Sequence, residues 1–417
     1  MSYILDLHIH SRYSRACSPQ LTLANIDAFC RSKGVDIIAT GDFTYPAWFK
    51  SLSEELTEIA PGAGLYKLKT AADDKVKFIL STELSLIYKD GGKARRIHLV
   101  VHAPDLAAVA KLNKYLDKNF NIRSDGRPIL GLSAPALVKL LLETDPRFLV
   151  YPAHIWTPWF SVFGSKSGFN TLEECFHEQT EHIYAFETGL SSDPAMNWRV
   201  SSLDRLTMLS SSDAHSLSNI AREANVMDIT GAPTYQKIYD NLKNKTGMKM
   251  TIEFYPEEGM YHLDGHRNCS FSCEPAESRK HNNLCPVCHK PLIIGVLNRV
   301  EELADRAEGF HPVGAVPYKK IVELDKIIAE ALNIKSRQSL AVQKQYRGMI
   351  KDFGNELSIL LDLDLARLSP AVDFRIIEGI RRVREGQLII KPGFDGQYGA
   401  VNIFSEDSRP GRQKSLL

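Results

Sequence analysis

Short apolar runs alternate with amphipathic stretches through the first 255 residues, and most of the runs end in an acidic residue or a histidine. The first run, Tyr3-Ile4-Leu5, leads into Asp6-Leu7-His8-Ile9-His10. A stretch with helical periodicity follows, from about Thr22 to Lys33. The next run, 35–40, is apolar again and ends at Gly41-Asp42. This order predicts a β-α-β unit, the repeating element of α/β folds.

Later apolar runs predict further strands of the same kind, at 76–82, 95–101, 148–153, 182–186 and 206–212. Each has an acid or a histidine at or near its end, except that His98 lies inside its run and His102, just past the end, is the alternative. In an α/β barrel the carboxyl ends of the strands meet at one mouth, where active sites are built. The candidates for such a site are His8, His10, Asp42, Glu83, His98, His154, Asp213 and His215.

These residue types suit a metal centre. Alternate residues of a strand share a face, so His8 and His10 would point the same way. Mixed imidazole and carboxylate ligands suit zinc, manganese or iron. More than four such ligands favour at least two ions with a bridging carboxylate, for which Glu83 and Asp213 are the candidates. The alternative is a set of scattered polar residues that do not meet.

Together these residues resemble the metal motifs of the PHP (polymerase and histidinol phosphatase) superfamily, over residues 1–255. The resemblance implies a distorted seven-stranded β/α barrel with a phosphoesterase site of two or three divalent ions, either zinc, manganese or magnesium. It implies as metal ligands His8, His10, Glu83, His98, His154, Asp213 and His215, and as catalytic residues Asp42, Glu83, Asp213 and His215. Many members have a histidine where this chain has Phe43, and another where it has Ser14-Arg15-Ala16-Cys17, so a third ion stays open.

Two aromatic stretches, 43–49 and 155–169, directly follow strand ends that carry candidate ligands. Aromatic rings stack on nucleic-acid bases with little regard for sequence, so both stretches are candidates for the rim of the site. Packing of these rings on neighbouring helices is the alternative. The candidate DNA or lesion contacts in the barrel segment are Tyr13, Phe43, Trp156, Trp159, Phe160, Ser165 and Ser167.

A cluster of four cysteines follows the barrel segment: Cys269, Cys273, Cys285 and Cys288. The spacing is Cys-x3-Cys, then eleven residues, then Cys-Pro-Val-Cys, which has the proportions of a zinc ribbon. Four thiolates would complete the coordination of zinc, so the ion would be structural. We expect this zinc module to occupy residues 256–295. The alternative is a ligand exchange with His266, His281 or His289.

The remaining segment, 296–417, has mainly helical periodicity and ends in an extended pair, 388–393 and 399–404. Arg381 and Arg382 are candidates for gripping DNA phosphates, although a charge cluster on a helix is more often simply solvated. The terminal residues Gln413–Leu417 are similar to the pentapeptide by which bacterial proteins dock on the β sliding clamp. A tail without a partner is the alternative.

Composition narrows the class of protein. Of the 417 residues, 44% are hydrophobic and 24% are charged, which is typical of a globular protein. The formal net charge is +1, so no global basic field indicates a nucleic-acid partner, although a local basic face is compatible with it. No segment is apolar for long enough to cross a bilayer, and no signal-peptide pattern opens the chain. We therefore expect a cytoplasmic, nucleoid-associated monomer with no membrane partner.

The order of barrel, cysteine module and helical segment resembles the endonuclease Q family over almost the full length. The resemblance rests on 156–160, Ser212-Asp213-Ala214-His215, 297–306 and the run 392–399. It implies a DNA repair endonuclease that cuts double- or single-stranded DNA on the 5′ side of uracil, hypoxanthine, xanthine or an abasic site. It also implies 3′-hydroxyl and 5′-phosphate ends. The alternatives are a histidinol-phosphate type phosphatase and a non-catalytic DNA-binding module.

Overall fold

The computed structural model of the chain describes residues 1–405, and the clamp-like tail segment Gln413–Leu417 lies outside them. Within 1–405, no helix has the length and the apolar character that a membrane span requires.

The strands follow one another closely in the first 255 residues and are sparse afterwards. In chain order they are β1 (Ser2–Asp6), β2 (Ile37–Ala39), β3 (Leu56–Glu58), β4 (Leu65–Leu68), β5 (Lys77–Ile79), β6 (Ser81–Asp90), β7 (Lys93–His102), β8 (Ile129–Leu130), β9 (Leu149–Pro152), β10 (Ala185–Glu187), β11 (Thr207–Leu209), β12 (Ala224–Asp228), β13 (Met248–Glu253), β14 (Asp264–His266), β15 (Phe271–Cys273), β16 (Tyr318–Lys320), β17 (Ile389–Lys391) and β18 (Ala400–Asn402).

The helices alternate with these strands and then dominate the last third of the chain. They are α1 (Leu23–Lys33), α2 (Pro46–Glu55), α3 (Leu106–Asn119), α4 (Ala134–Thr144), α5 (Leu172–Phe176), α6 (Pro194–Asn197), α7 (Tyr235–Asn244), α8 (Pro275–Lys280), α9 (Val296–Leu303), α10 (Leu324–Ala331), α11 (Leu340–Phe353), α12 (Glu356–Leu361) and α13 (Phe374–Arg384).

Local sequence signals set the ends of the first helix. The Thr22 side chain accepts a hydrogen bond from the backbone N–H of Asn25, which caps the amino end of α1. At the other end Gly34 has a left-handed backbone, with φ of 95°, and its N–H donates to the carbonyl of Cys30. The β-α-β unit predicted for this stretch is therefore present, with β1 and β2 as parallel neighbours.

The strands of the barrel segment fall into three sheets. One has the order β16-β13-β12-β1-β2-β5-β4-β3, a second has β8-β6-β7-β9, and β10 pairs with β11. Only Leu80 separates β5 from β6, so the chain passes directly from the first sheet to the second. The N–H of Ile155, after β9, donates to the carbonyl of Glu187 in β10, and a bridge joins Ala214, after β11, to Ile9, after β1. This mixed α/β arrangement is the fold class that the sequence predicts.

One strand runs against the predicted direction. Apart from His98, which lies inside its run, the sequence places each candidate ligand near the carboxyl end of a strand, but β6 and β7 form a long antiparallel hairpin. The turn consists of Gly91 and Gly92, whose φ values of 56° and 74° suit glycine. Because β7 returns toward the site, His98 reaches it from the middle of the strand.

The helical segment packs on the barrel segment in one continuous core. Strand β16 extends the large sheet by pairing in parallel with β13. A buried ion pair of 2.9 Å joins Lys33 of α1 to Glu356 of α12. The cysteine module has its own small core, which includes Cys273, Cys285 and Leu292. The boundaries 1–255, 256–295 and 296–417 stay predictions, since the core is shared across them.

Candidate active site

Two histidines leave β1 side by side and are each held from behind by a carboxylate. The Nδ1 atom of His8 lies 2.9 Å from Oε2 of Glu187, and Nδ1 of His10 lies 3.1 Å from Oδ1 of Asp42. Both imidazoles are fully buried or nearly so. These contacts fix the ring orientation and leave each Nε2 atom facing the centre of the site.

The first candidate metal group forms around those two Nε2 atoms. Its members are His8, His10, Glu83 and Asp213, and one ligand atom from each lies within 4.8 Å of all the others. Nε2 of His10 lies 3.1 Å from Asp213 Oδ1 and 3.3 Å from Glu83 Oε2, while Nε2 of His8 lies 3.7 Å from the same two oxygens. Four ligand atoms thus converge on one point.

The second candidate group shares Glu83 with the first. The other oxygen of this carboxylate, Oε1, lies 2.7 Å from Nδ1 of His98 and 3.1 Å from Nε2 of His154. Because Oε1 faces one group and Oε2 the other, Glu83 has the geometry of a bridging ligand. Of the two bridging candidates in the sequence, the structure places Glu83 between the groups and Asp213 in the first group only.

Three of the site residues adopt a left-handed backbone conformation directly after a strand or a short loop. The φ values are 50° at Asp42, 28° at His154 and 46° at Asp213. Non-glycine residues rarely adopt these angles, and they cluster at functional sites where the surrounding structure enforces them. Here the buried Asp6 carboxylate accepts the N–H groups of Ser212 and Ala221, which holds the segment around Asp213 in place.

The residues present fit divalent metal ions. In the described part of the chain Nε2 of His8 is buried without a hydrogen-bond partner. The far nitrogens of His8, His10 and His154 contact Glu187, Asp42 and Thr157 respectively. Metal-binding histidines in proteins are held in this way from their second nitrogen. Two candidate metal groups are therefore present in the barrel segment.

The charges of the site agree with this interpretation. Burial lowers the pKa of His8, but Glu187 and Glu83 outweigh it and raise the pKa well above its ordinary value. Burial raises the pKa of Glu83, but His98 and Arg127 outweigh it and hold that pKa well below its ordinary value. The raised pKa of His8 indicates a need for positive charge beside these carboxylates, which bound cations would supply.

Asp42 and His215 lie beside the two groups rather than in them. Oδ2 of Asp42 accepts the N–H of Ser11 and the hydroxyls of Ser11 and Ser14, at 2.6 to 2.9 Å. With Oδ1 on His10, Asp42 is fully engaged and orients that imidazole. The ring of His215 lies 4.6 Å from the ring of His10 and its side chain is 29% exposed, so it faces the open side of the site.

The positions of the two missing histidines hold other residues. Phe43 is fully buried, and Ser14 donates to Asp42. Cys17 lies near His10 and Asp42, and burial raises the pKa of its thiol to about 12. His102, the alternative to His98, is buried against Tyr151, with Nε2 2.9 Å from the phenol oxygen. Of these two histidines, the structure brings His98 into a candidate metal group.

Sequence reasoning missed three residues of the site. Glu187 directly follows the apolar run 182–186, and this place in the strand series is the signal that could have identified it. Thr157 lies three residues after His154 and 3.0 Å from its Nδ1. Arg127 comes from the loop between α3 and β8, and its Nη1 atom donates to Glu83 Oε2 at 2.8 Å. No periodicity marks Arg127 in the sequence.

The structure divides the aromatic candidates into buried and accessible residues. Phe43 and Trp156 have no exposed surface and belong to the core, which corrects their place at the rim. Trp156 donates its indole N–H to Asn197 at 2.7 Å, so the side chain points away from the mouth. Trp159 is 38% exposed, and the ring of Phe160 lies 4.6 Å from that of His98.

The other barrel candidates lie near the site without entering the metal groups. Tyr13 stacks on Tyr45, with ring centres 4.6 Å apart. Ser165 is half-buried, whereas Ser167 is buried and donates to the carbonyl of Arg96 at 3.4 Å.

A cavity of about 640 Å³ opens next to the first metal group. Asp213 and His215 contribute to its floor. Its lining includes Trp159 from the loop after β9, Phe254 and Tyr261 from the segment before β14, Tyr398 and Gly399 from the turn between β17 and β18, and Leu190 and Ser191 from the loop after β10. The rings of Trp159 and Tyr261 meet edge to face at 5.5 Å. An aromatic cavity thus adjoins the candidate catalytic residues.

The cysteine module forms a separate candidate metal site with a different ligand set from the one predicted. The atoms that converge belong to His266, Cys269, Cys285 and Cys288. His266 and Cys269 flank the turn of the β14–β15 hairpin, whereas Cys273 lies opposite Asp264 further along it. The converging group thus corresponds to the histidine alternative, while Cys273 packs with Cys285 in the core of the module, and the four-cysteine ligand set stays a prediction.

Arg381 and Arg382 are engaged within their own helix. Both side chains contact Glu378, and Arg381 also pairs with Glu385. Arg382 donates to the carbonyl of Ile403 at 3.2 Å. The solvated-helix alternative describes their surroundings better than a free phosphate-binding face.

Solved structures share this architecture over the whole chain. The lesion-specific endonuclease PfuEndoQ of Pyrococcus furiosus is 29% identical, with a TM-score of 0.84, and the match covers 99% of this chain and 98% of that one. Endonuclease Q in complex with a 27-mer duplex with an abasic lesion at its active site gives the same identity and TM-score over the full length of both chains. The chain therefore has the fold of endonuclease Q over its whole length. Both groups of the candidate site thus lie in an endonuclease Q fold.

Sequence comparisons find further relatives. A family model described as the MJ0043 C-terminal domain matches residues 323–387. The uncharacterized protein MJ0043 of Methanocaldococcus jannaschii is 31% identical over 60% of this chain, although the match covers only 31% of that protein. The uncharacterized protein YqxK of Bacillus subtilis is 28% identical over 95% of this chain and 98% of its own length.

Proposed function

We propose that this protein is a DNA repair endonuclease that hydrolyses the phosphodiester on the 5′ side of a deaminated base or an abasic site. The observation that carries the proposal is the pair of His and carboxylate groups around Glu83, next to an aromatic cavity. A similar fold is known in complex with duplex DNA that has an abasic lesion at the active site. We expect cleavage to leave a 3′-hydroxyl and a 5′-phosphate.

The metal ligands in this proposal are His8, His10, Glu83 and Asp213 for one ion and Glu83, His98 and His154 for a second. Two divalent ions, zinc, manganese or magnesium, would supply Lewis-acid stabilisation of the phosphodiester and an activated water. Glu187, Asp42 and Thr157 hold the imidazoles in the orientation that this requires. We count two ions because the positions of the missing histidines hold Phe43 and Ser14.

Arg127 has the position of a phosphate-binding residue. Its guanidinium is 22% exposed and lies against the bridging Glu83. The neighbouring carboxylate Glu83 outweighs burial and raises the pKa of Arg127, so the side chain stays cationic. A guanidinium at this point would contact a non-bridging phosphate oxygen and stabilise the charge that develops during hydrolysis.

The cavity provides space for the damaged nucleotide. Extrusion of the damaged nucleotide from the stack would bring its phosphodiester to the recessed site, and extrusion is easiest for weakly paired or missing bases. The volume of about 640 Å³ and the rings of Trp159, Phe254 and Tyr261 suit a planar base beside Asp213. Lesion preference would thus arise largely from the ease of extrusion.

The test is an incision assay with defined oligonucleotides. Metal-depleted protein is given manganese, magnesium or zinc and incubated with duplexes containing one deoxyuridine, deoxyinosine or abasic site. An undamaged duplex and histidinol phosphate are the comparison substrates. We expect metal-dependent incision of the damaged strands only. Equal cutting of the undamaged duplex, or activity confined to histidinol phosphate, would contradict the proposal.

A further inference from the structure

Tyr398 is a large aromatic residue that the proposed chemistry leaves without a role. It is 77% exposed, yet it lies at the rim of the cavity that also contains Asp213 and His215. An aromatic side chain usually gains from burial, so an exposed ring beside a binding cavity is a candidate contact for a ligand. It lies in the turn between β17 and β18, two residues before β18 begins.

The backbone around Tyr398 is held firmly. Gly393 donates to the carbonyl of Glu257 at 2.9 Å, and Gly399 donates to that of Glu258 at 3.1 Å. In return, Leu263 donates to the carbonyl of Gly393 at 3.0 Å. The turn is therefore tied on both sides to the segment that forms one wall of the cavity.

Close approach makes glycine necessary at both ends of this turn. A Cβ atom on Gly393 would collide with the carbonyl of Gly259, and one on Gly399 would collide with that of Glu257. A further contact, from the N–H of Arg267 to Oδ2 of Asp395 at 2.6 Å, joins the turn to the cysteine module. The ring of Tyr398 is therefore attached to a firmly held backbone. Such an attachment is needed for a side chain to take the place of a nucleotide in the stack.

We propose that Tyr398 inserts into the duplex and stacks in the gap that the extruded nucleotide leaves. This inference rests on the proposed function, because it assigns a positioning residue to the same site. The nucleotide would enter the cavity between Trp159 and Asp213, and the phenol ring at the rim would take its place against the neighbouring base pair. Insertion of apolar side chains between base steps is a general way to stabilise distorted DNA.

The alternative place for the ring is on the extruded base itself, as a wall of the cavity. The two possibilities make different demands on the substrate. A ring that fills the gap matters only in a duplex and matters equally for uracil and for an abasic site. A ring that stacks on the extruded base matters in single strands as well, and matters for uracil but not for an abasic site.

The experiment compares Tyr398→Ala with the wild type on four substrates, a uracil and an abasic site, each in duplex and in single-stranded DNA. We expect the ratio of duplex to single-strand cleavage rates to fall about tenfold or more for both lesions, since stacking of one base on an aromatic side chain is worth that much. Tyr398→Trp keeps a stacking ring and should restore the ratio. Tyr115→Ala, which removes a 46% exposed tyrosine from α3, is the matched control.

The possible outcomes are distinct. An equal loss on single strands and duplexes, a loss confined to uracil, or a wild-type ratio would each overturn the inference. Failure of the wild type itself to cut any damaged strand would instead overturn the proposed function. The thermal unfolding and the zinc content of Tyr398→Ala are measured in parallel. Agreement of both with the wild type shows that a change in the cleavage ratio does not come from misfolding.

Discussion

Glu187 offers a sharp test of the metal site, because its carboxylate supports both candidate groups without being a ligand. Oε2 accepts from Nδ1 of His8 at 2.9 Å and from the backbone N–H of His154 at 3.2 Å. The residue is 1% exposed, so water does not replace a lost contact. Replacing Glu187 therefore perturbs one ligand of each group.

The magnitude follows from the change in the hydrogen bond. A bond to a charged group contributes about 1.5–3 kcal/mol and a neutral bond about 0.5–1.5 kcal/mol, so Glu187→Gln should cost about 1–1.5 kcal/mol of metal binding. This corresponds to about a fivefold to tenfold loss of affinity. Glu187→Ala removes the acceptor altogether, so its metal affinity should fall about a hundredfold, the upper end of the loss seen when a residue that orients a metal ligand is replaced.

The assay is a calorimetric titration of metal-stripped barrel sites with Mn²⁺. Manganese is suitable because the sulfur-rich group of the cysteine module prefers zinc. The control is Glu181→Gln, whose carboxylate is 79% exposed and close in sequence. We expect affinity to fall in the order wild type, Glu187→Gln, Glu187→Ala, with the control equal to the wild type. Wild-type affinity in Glu187→Ala would refute the support that we assign to this residue.

Further expectations concern the cysteine module, a buried acid and the contact between segments. His266→Ala should release zinc from purified protein whereas Cys273→Ser should retain it, as measured by metal analysis; the reverse result would favour the four-cysteine set. Burial raises the pKa of Glu253 to about 8, so the folded state keeps a proton that the unfolded chain loses above about pH 4.5. The free energy of unfolding therefore falls as the pH rises from about 4.5 to about 8. The thermal midpoint of Glu253→Gln should therefore rise relative to that of the wild type as the pH increases from 5.5 to 8.5. A difference between the two midpoints that does not change with pH would contradict this. Lys33→Met leaves the Glu356 carboxylate buried without the lysine and should lower the free energy of unfolding by about 3–5 kcal/mol, measured by chemical denaturation. The double variant Lys33→Met/Glu356→Gln should recover most of this loss. An equal loss in both variants would contradict the role of the ion pair.

Much of the site could be predicted from strand ends, because the path of a parallel strand determines where its last side chain lies. His8, His10, Asp213 and His154 follow that rule, and the structure brings them together. His98 does not follow it, since the Gly91-Gly92 turn reverses the chain and brings a mid-strand residue to the site.

Contacts that depend on loops and on the direction of single side chains could not be predicted. Arg127 reaches Glu83 from a loop without periodicity. Phe43 and Trp156 follow strand ends, yet they turn into the core, where burial of large aromatic surface is most favourable. The convergence of His266 with Cys269, Cys285 and Cys288 depends on the β14–β15 hairpin, which the cysteine spacing does not reveal.

The most direct test of the central claim is incision of a duplex with a single deoxyuridine, mapped at single-nucleotide resolution for the wild type and Asp213→Asn. The wild type, reloaded with metal, should cut the bond on the 5′ side of the lesion. Asp213→Asn should bind the same duplex with similar affinity, but its incision rate should fall more than about a hundredfold. That loss is larger than the loss expected when a residue that only orients a metal ligand is replaced. Wild-type incision by Asp213→Asn, or cutting by the wild type at positions unrelated to the lesion, would contradict the account.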